Sequence, residues 1–207
     1  QLDSEYSTSL HRYERALKQR NNLLKQSSYQ NDSIFAWSVA LSQYGAYIVE
    51  RRQWLVQRIS ELINQTYLSI AQIDDRIEIL YSFEHTKNIQ QKLMNDLEKN
   101  LEKDKLLGTT TSGIHRHDLL INFNSKPITA IASRGEVRTV VLSLKFIEVT
   151  LVEQNLGHQP IILLDDVFGE LDTSRQKELI HSFKDYQIII TATSLPKSKL
   201  DALIVKL

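Results

Sequence analysis

The sequence predicts a mixed fold in two parts: a mostly helical half, then an α/β half built on a parallel β core. Three observations carry this. Residues 1–107 contain no proline and one glycine, Gly45, whereas residues 108–207 hold three prolines and five glycines. In the first half apolar residues recur every three or four positions, the period of an amphipathic helix. In the second half the aliphatic runs Ile161–Leu164 and Ile188–Ile190 alternate with helical stretches. Continuous apolar strands of that kind belong to parallel sheets covered on both faces. Residues 1–110 are therefore expected to form a helical domain and residues 111–207 an α/β lobe.

Each element follows from local pattern. A first helix is expected from Glu5 to about Gln26. A second is marked by Ile34, Trp37, Leu41, Tyr44, Ile48, Leu55, Ile59 and Leu62, with Asp32 or Ser33 as its cap. Arg76–Phe83 alternates, placing Ile77, Ile79, Tyr81 and Phe83 on one face of a strand. Ile89, Leu93, Leu97 and Leu101 recur every four residues and predict a single helix. Leu119–Phe123, the turn Asn124–Pro127 and Ile128–Ile131 read as a β-hairpin. Ser133 to about Asn155 reads as a buried helix, and Pro160–Asp165 as a buried strand ending in two acids. Ser174–Lys184 is expected to be helical, Gln187–Thr191 a buried strand and Ala202–Leu207 a last strand.

Composition excludes several functions. The 207 residues carry 25 basic and 25 acidic side chains, so net charge argues for neither nucleic acid nor membrane, and any DNA contact has to be a local patch. There is no cysteine, hence no disulfide, thiolate nucleophile or Cys-based zinc site, which suits a reducing cytoplasm. No apolar run is long enough to span a bilayer. The chain opens without Met in polar, helix-like sequence, which reads as a cut inside a longer protein.

The strongest chemical signal is Ile161-Ile162-Leu163-Leu164-Asp165-Asp166. Four aliphatics followed by two carboxylates form a Walker B pattern. The strand fixes the acids at the carboxyl edge of the sheet, where α/β folds bind ligands. Asp165 can hold Mg²⁺ through water, and Asp166 can position or deprotonate an attacking water. Glu170-Leu171-Asp172 follows at the spacing of a D-loop. Upstream, Ala132-Ser133-Arg134-Gly135-Glu136 opens a helix, and a helix N-terminus offers free N–H groups to phosphate. Ser133-x-x-Glu136 is equally a capping box, in which the two side chains satisfy those N–H groups internally.

Together these segments resemble the C-terminal half of an ABC-type ATPase head. More narrowly, Ser133–Thr139, Leu142–Lys145, Pro160–Asp166 and Glu170–Asp172 resemble the RecF family. So do Gly113-Ile114-His115-Arg116-His117-Asp118 and the helix bearing Lys18-Gln19-Arg20-Asn21. The resemblance implies an ATP- and DNA-binding repair protein that dimerises around ATP in the bacterial cytoplasm and acts with RecO and RecR. It implies that Asp165 serves Mg²⁺ and that Asp166 is catalytic. Ser133 and Gly135 touch the γ-phosphate of ATP held by the other subunit, Asp172 lies at the dimer seam, and Thr193 stands near the position of the family's switch histidine. Glu136-Val137 and His117 depart from the family pattern.

No glycine is followed by lysine, so the chain contains no P-loop. The isolated chain is therefore expected neither to bind ATP tightly nor to hydrolyse it. Arg51, Arg52 and Arg58, and also Lys18, Arg20 and Lys25, are candidate phosphate contacts or an ordinary solvated helix face. Two other readings are a non-catalytic partner or DNA-binding module, and a metallohydrolase using His115-x-His117-Asp118, since alternate strand residues share a face.

Overall fold

The computed structural model describes residues 3–26, 31–165, 176, 181 and 183–193. Its elements are α1 (Ser4–Leu24), α2 (Asn31–Ala71), β1 (Ile77–Tyr81), α3 (Ile89–Lys99), α4 (Leu101–Leu107), β2 (Leu119–Phe123), β3 (Lys126–Pro127), α5 (Ile128–Ile131), α6 (Arg134–Leu156), β4 (Ile162–Asp165) and β5 (Ile188–Thr191). No helix among the described residues is long and apolar enough to cross a membrane. The chain divides into two compact units: Gln1–Arg58 with Ile79–Leu120, and Ile59–Glu78 with Ile121–Leu207. This division is discontinuous, whereas the sequence reading draws one line at residue 110. Its crossing points fall inside α2, β1 and β2.

In the first unit, α1 is capped by Asp3, whose carboxylate accepts the Tyr6 N–H at 2.9 Å. Helix α2 is described from Asn31, with Asp32 an acid of its first turn. Tyr13, Ala16, Leu41, Ile48, Val49, Phe83, Leu93, Leu97 and Ile114 form the core. Gly45 lets elements approach closely, because a Cβ there would stand 3.0 Å from Leu93 Cδ1. The single helix expected over Ile89, Leu93, Leu97 and Leu101 is two helices. Asn100 turns its amide back to the Asp96 carbonyl at 2.8 Å, a local hydrogen bond that competes with helix continuation.

A buried polar cluster lies in this unit. Arg20 is fully enclosed; its Nε donates to Ser38 Oγ at 3.0 Å, and its Nη1 donates to Asp104 Oδ2 and Thr110 Oγ1, each at 2.8 Å. The other Asp104 oxygen accepts from the Thr111 N–H at 2.8 Å and the Thr111 hydroxyl at 2.6 Å. Arg20 is thus a core ion-pair partner and no phosphate contact.

In the second unit, Asn124 and Ser125 take positive φ, 47° and 65°, which makes a tight two-residue turn joining β2 to β3. The returning strand is two residues long, pairing Asn122 with Pro127 and Phe123 with Lys126. Ile128–Ile131 is a helical turn, contrary to the expected strand. Pro127 lacks the N–H that would extend the ladder and stands just before the helix.

Strands β4 and β5 are parallel, as expected, and among the described residues one face is packed. Ile162, Leu164, Ile188 and Ile190 pack with Leu142, Phe146 and Phe183, the two phenyl rings stacked at 3.9 Å. Leu163 on the opposite face is 72% exposed and Ile189 53% exposed. The expected strand 202–207 and most of the expected helix 174–184 lie outside the described residues; Gln176 and His181 are helical.

Candidate functional site

Asp165 ends β4 and pairs in register with Thr191, the last residue of β5. Because the strands are parallel, both residues stand at the same carboxyl edge, the ligand-binding edge of α/β sheets. The aliphatic run supplies the burial that fixes this end, while Asp165 itself is exposed. The Thr191 hydroxyl donates to Asp165 Oδ1 and orients the carboxylate. The remaining acceptor capacity points to a hydrated cation as a fitting ligand. Mg²⁺ commonly takes one or two carboxylates and completes its octahedron with water and phosphate oxygens. Among the described residues no group of three or more His, Cys, Asp or Glu forms a closed metal cage.

Helix α6 of the same unit opens at Ser133, which has extended backbone angles. Its side chain accepts the Glu136 N–H at 3.3 Å, while Glu136 accepts the Ser133 N–H at 2.6 Å. This reciprocal capping box satisfies donors that a phosphate would use. Glu136 therefore occupies the electropositive end of the helix, and a phosphate has to displace it. Gly135 lies in the first turn, half-buried, and its carbonyl accepts the Thr139 hydroxyl at 2.9 Å. Further in, Ser143 donates to the Thr139 carbonyl at 2.8 Å, so these buried hydroxyls are internally satisfied.

Thr193 lies in an exposed bend two residues beyond β5. Asp166 and Asp172 lie outside the described residues. Arg51 pairs with Asp3 at 2.9 Å and stands over the Trp54 ring at 5.0 Å. Arg52 donates to the Tyr6 hydroxyl at 3.1 Å, the Tyr81 hydroxyl at 3.4 Å and the Ile114 carbonyl at 3.0 Å. Arg58 is half-buried and also has partners. These three arginines contribute to packing and pairing, so loss of DNA affinity on replacing Arg52 would not by itself identify a DNA contact.

The histidine motif is built differently from a metal site. Residues Ile114–Arg116 form a 3₁₀ turn, so His115 and His117 do not share a strand face. Both His115 ring nitrogens are engaged, Nδ1 with the Tyr13 hydroxyl at 2.9 Å and Nε2 with the Thr110 carbonyl at 3.1 Å. His117 Nδ1 meets the Tyr81 hydroxyl at 2.8 Å, and its ring lies 5.1 Å from that of Phe83. Burial, aided by the Arg52 charge, pushes the His117 pKa from 6.5 down to about 4. The unfolded chain takes up this proton near pH 6.5 and the folded chain only near pH 4. The associated stability is therefore full at neutral pH and lost as pH falls through that window. Discounted for the half-exposed ring, the loss is on the order of 1–2 kcal/mol. Urea midpoints should fall from pH 7 to pH 4 in the wild type and fall less in His117→Phe. A parallel fall in the two proteins would remove His117 from this account.

Two features escape sequence reasoning. Thr191 is Asp165's partner although 26 residues separate them; strand register alone could have indicated it. Arg20 and Asp104 meet across 84 residues with no local signal.

A parallel strand pair ending in a carboxylate and backed by a Ser-capped helix, joined to a mostly helical part, is consistent with the class of the C-terminal part of an ABC-type ATPase head. No family model matches the chain. The DNA replication and repair protein RecF of Clostridium novyi (strain NT) is 34% identical over 196 residues, covering 94% of this chain and 54% of that protein. RecF of Alkaliphilus oremlandii (strain OhILAs) is 34% identical over 206 residues, covering 96% and 56%. A solved structure of the recombination mediator protein RecF-ATP in the RecFOR pathway matches with a TM-score of 0.85 and 31% identity, covering 97% of this chain and 56% of that one. The chain is a homologue of RecF along almost its entire length. It spans about half the length of the curated relatives it matches.

Proposed function

We propose that this chain supplies the second half of the ATP site in a RecF-type DNA-repair ATPase. The observation that carries the reading is the placement of Asp165, oriented by Thr191, at the carboxyl edge of the β4–β5 pair. Asp165 holds Mg²⁺ through water, and Asp166 positions the attacking water. When bound, Mg²⁺ offsets negative charge on the phosphates. Ser133 and Gly135 present the N-terminus of α6 to the γ-phosphate of ATP on a second copy, once Glu136 has released the Ser133 N–H. Asp172 stands at the seam between copies, and Thr193 contacts the γ-phosphate side of the site.

The whole protein, in this reading, binds ATP and DNA, dimerises on ATP, and works in the bacterial cytoplasm at the nucleoid with RecO and RecR at single-strand gaps. The relatives' description as DNA replication and repair proteins, and the RecFOR pathway of the matched structure, support it. The P-loop comes from sequence outside these 207 residues. The isolated chain is therefore expected to show no ATP turnover above background and no tight nucleotide binding by calorimetry. Turnover that purified chain retains, and that Asp166→Asn abolishes, would refute the division of the site.

A further inference from the structure

Strand β5 has to stop at one place for Thr191 to meet Asp165, and its own sequence does not choose that place. Among the described residues it pairs with β4 alone, over four residues. Ile188 and Ile190 share the packed face with Ile162 and Leu164. A slip by one residue would turn them outward, but a slip by two sets aliphatic against aliphatic on the same face. Such a slip would carry Thr191 about 6–7 Å along the sheet, away from the Asp165 carboxylate.

The segment before β5 supplies what the strand lacks. Phe183 is buried, and its ring stacks on Phe146 of α6 at 3.9 Å. The Tyr186 N–H donates to the Phe183 carbonyl at 2.9 Å, and the two rings meet edge-on at 5.8 Å. The Tyr186 hydroxyl donates to Glu153 Oε2. Phe146 and Glu153 both lie on α6, about two turns apart on one helix face. Stacked rings can slide along one another, whereas a hydrogen bond to a carboxylate is directional and charge-assisted. The residue after Tyr186, Gln187, begins the ladder, its carbonyl accepting the Ile162 N–H at 3.0 Å. Extended backbone then spans roughly 16 Å from Tyr186 to Thr191, so fixing the first fixes the second.

We infer that Tyr186, held by Glu153, is a positioning residue for the cation site: it sets the register of β5 and so places the Thr191 hydroxyl against Asp165. Tyr186 touches no ligand in this scheme and acts only through Thr191. The inference rests on the Mg²⁺ role proposed for Asp165.

The test uses the full-length protein with one equivalent of a non-hydrolysable ATP analogue. Mn²⁺, standing in for Mg²⁺, is titrated and its binding followed by electron paramagnetic resonance. Tyr186→Phe should weaken Mn²⁺ binding roughly tenfold or more, and Glu153→Ala, which removes the same bond from the other side, should do likewise. Glu153→Gln keeps an oxygen to accept from the phenol and should restore most of the affinity. Thr191→Val should lose as much as Tyr186→Phe. Combining the two should cost nothing further, because both act through one contact. Unchanged Mn²⁺ affinity in Tyr186→Phe or in Glu153→Ala overturns the inference. So does a further loss of roughly tenfold in the double variant, the additive result of a merely structural role. Asp165→Asn separates this inference from the reading beneath it. If that variant binds Mn²⁺ as the wild type does, both fall; if it loses Mn²⁺ while Tyr186→Phe keeps it, the inference falls alone.

Discussion

Arg20→Ala is expected to lower the unfolding free energy by about 3–5 kcal/mol, the largest stability effect in the chain. Arg20 and Asp104 are both fully enclosed, their side chains 1% and 0% exposed. Removing the guanidinium leaves the Asp104 carboxylate charged and buried, still bonded to Thr111 but without its counter-ion. It also removes the donor to Ser38 Oγ, which keeps its own bond to the Ile34 carbonyl, and frees Thr110, which Asn21 then holds alone at 2.7 Å. The cost comes mainly from the unpaired charge and less from the lost attraction, which separates this case from a surface pair. A double variant, Arg20→Met with Asp104→Leu, should accordingly recover much of the loss. Urea unfolding of the three proteins decides it. If Arg20→Ala matches wild type within about 1 kcal/mol, the cluster is no structural keystone.

The second large effect is functional. Asp165→Asn in the full-length protein is expected to reduce ATP turnover about a hundredfold or more, with little change in fold. Asparagine keeps an oxygen to accept from Thr191, so the edge of the β4–β5 pair stays built. What is lost is the negative charge that, in the proposed site, would hold a hydrated cation against phosphates. Near-normal turnover with an unchanged Mg²⁺ requirement would take Asp165 out of the site. The same substitution should leave the His117 pH dependence untouched, because that histidine belongs to the other compact unit.

Legibility in the sequence tracked how local each cause was. Ile161–Asp165 announced a strand because a run of four aliphatics needs no distant partner to be read. Ser133-x-x-Glu136 announced the helix start, and the capping box is formed as those residue types imply. Arg20 was misread as a possible phosphate contact because its identity is that of a surface cation. Its burial is set by Asp104 and Thr110, 84 and 90 residues away. The histidines misled in the same way: a strand would have put them on one face, but the Gly113 backbone and the buried Ile114 set a 3₁₀ turn. Ile128–Ile131 is apolar and β-branched at both ends, yet Pro127 ended the ladder before the hairpin could use it. Leu163 and Ile189 carry a further lesson. Their hydrophobicity was legible, but their cover depends on what lies over that face, which strand pattern does not specify.

The central claim is that each ATP site is assembled from two copies, with Asp165 on one and Ser133 on the other. Mixing two inactive full-length variants, Ser133→Arg and Asp165→Asn, tests it most directly. If the residues act across the copies, a mixed dimer regains one intact site out of two. Random pairing then returns about a quarter of wild-type ATP turnover. If both residues serve the same copy's nucleotide, every site in the mixture is broken and turnover stays at the level of either variant alone.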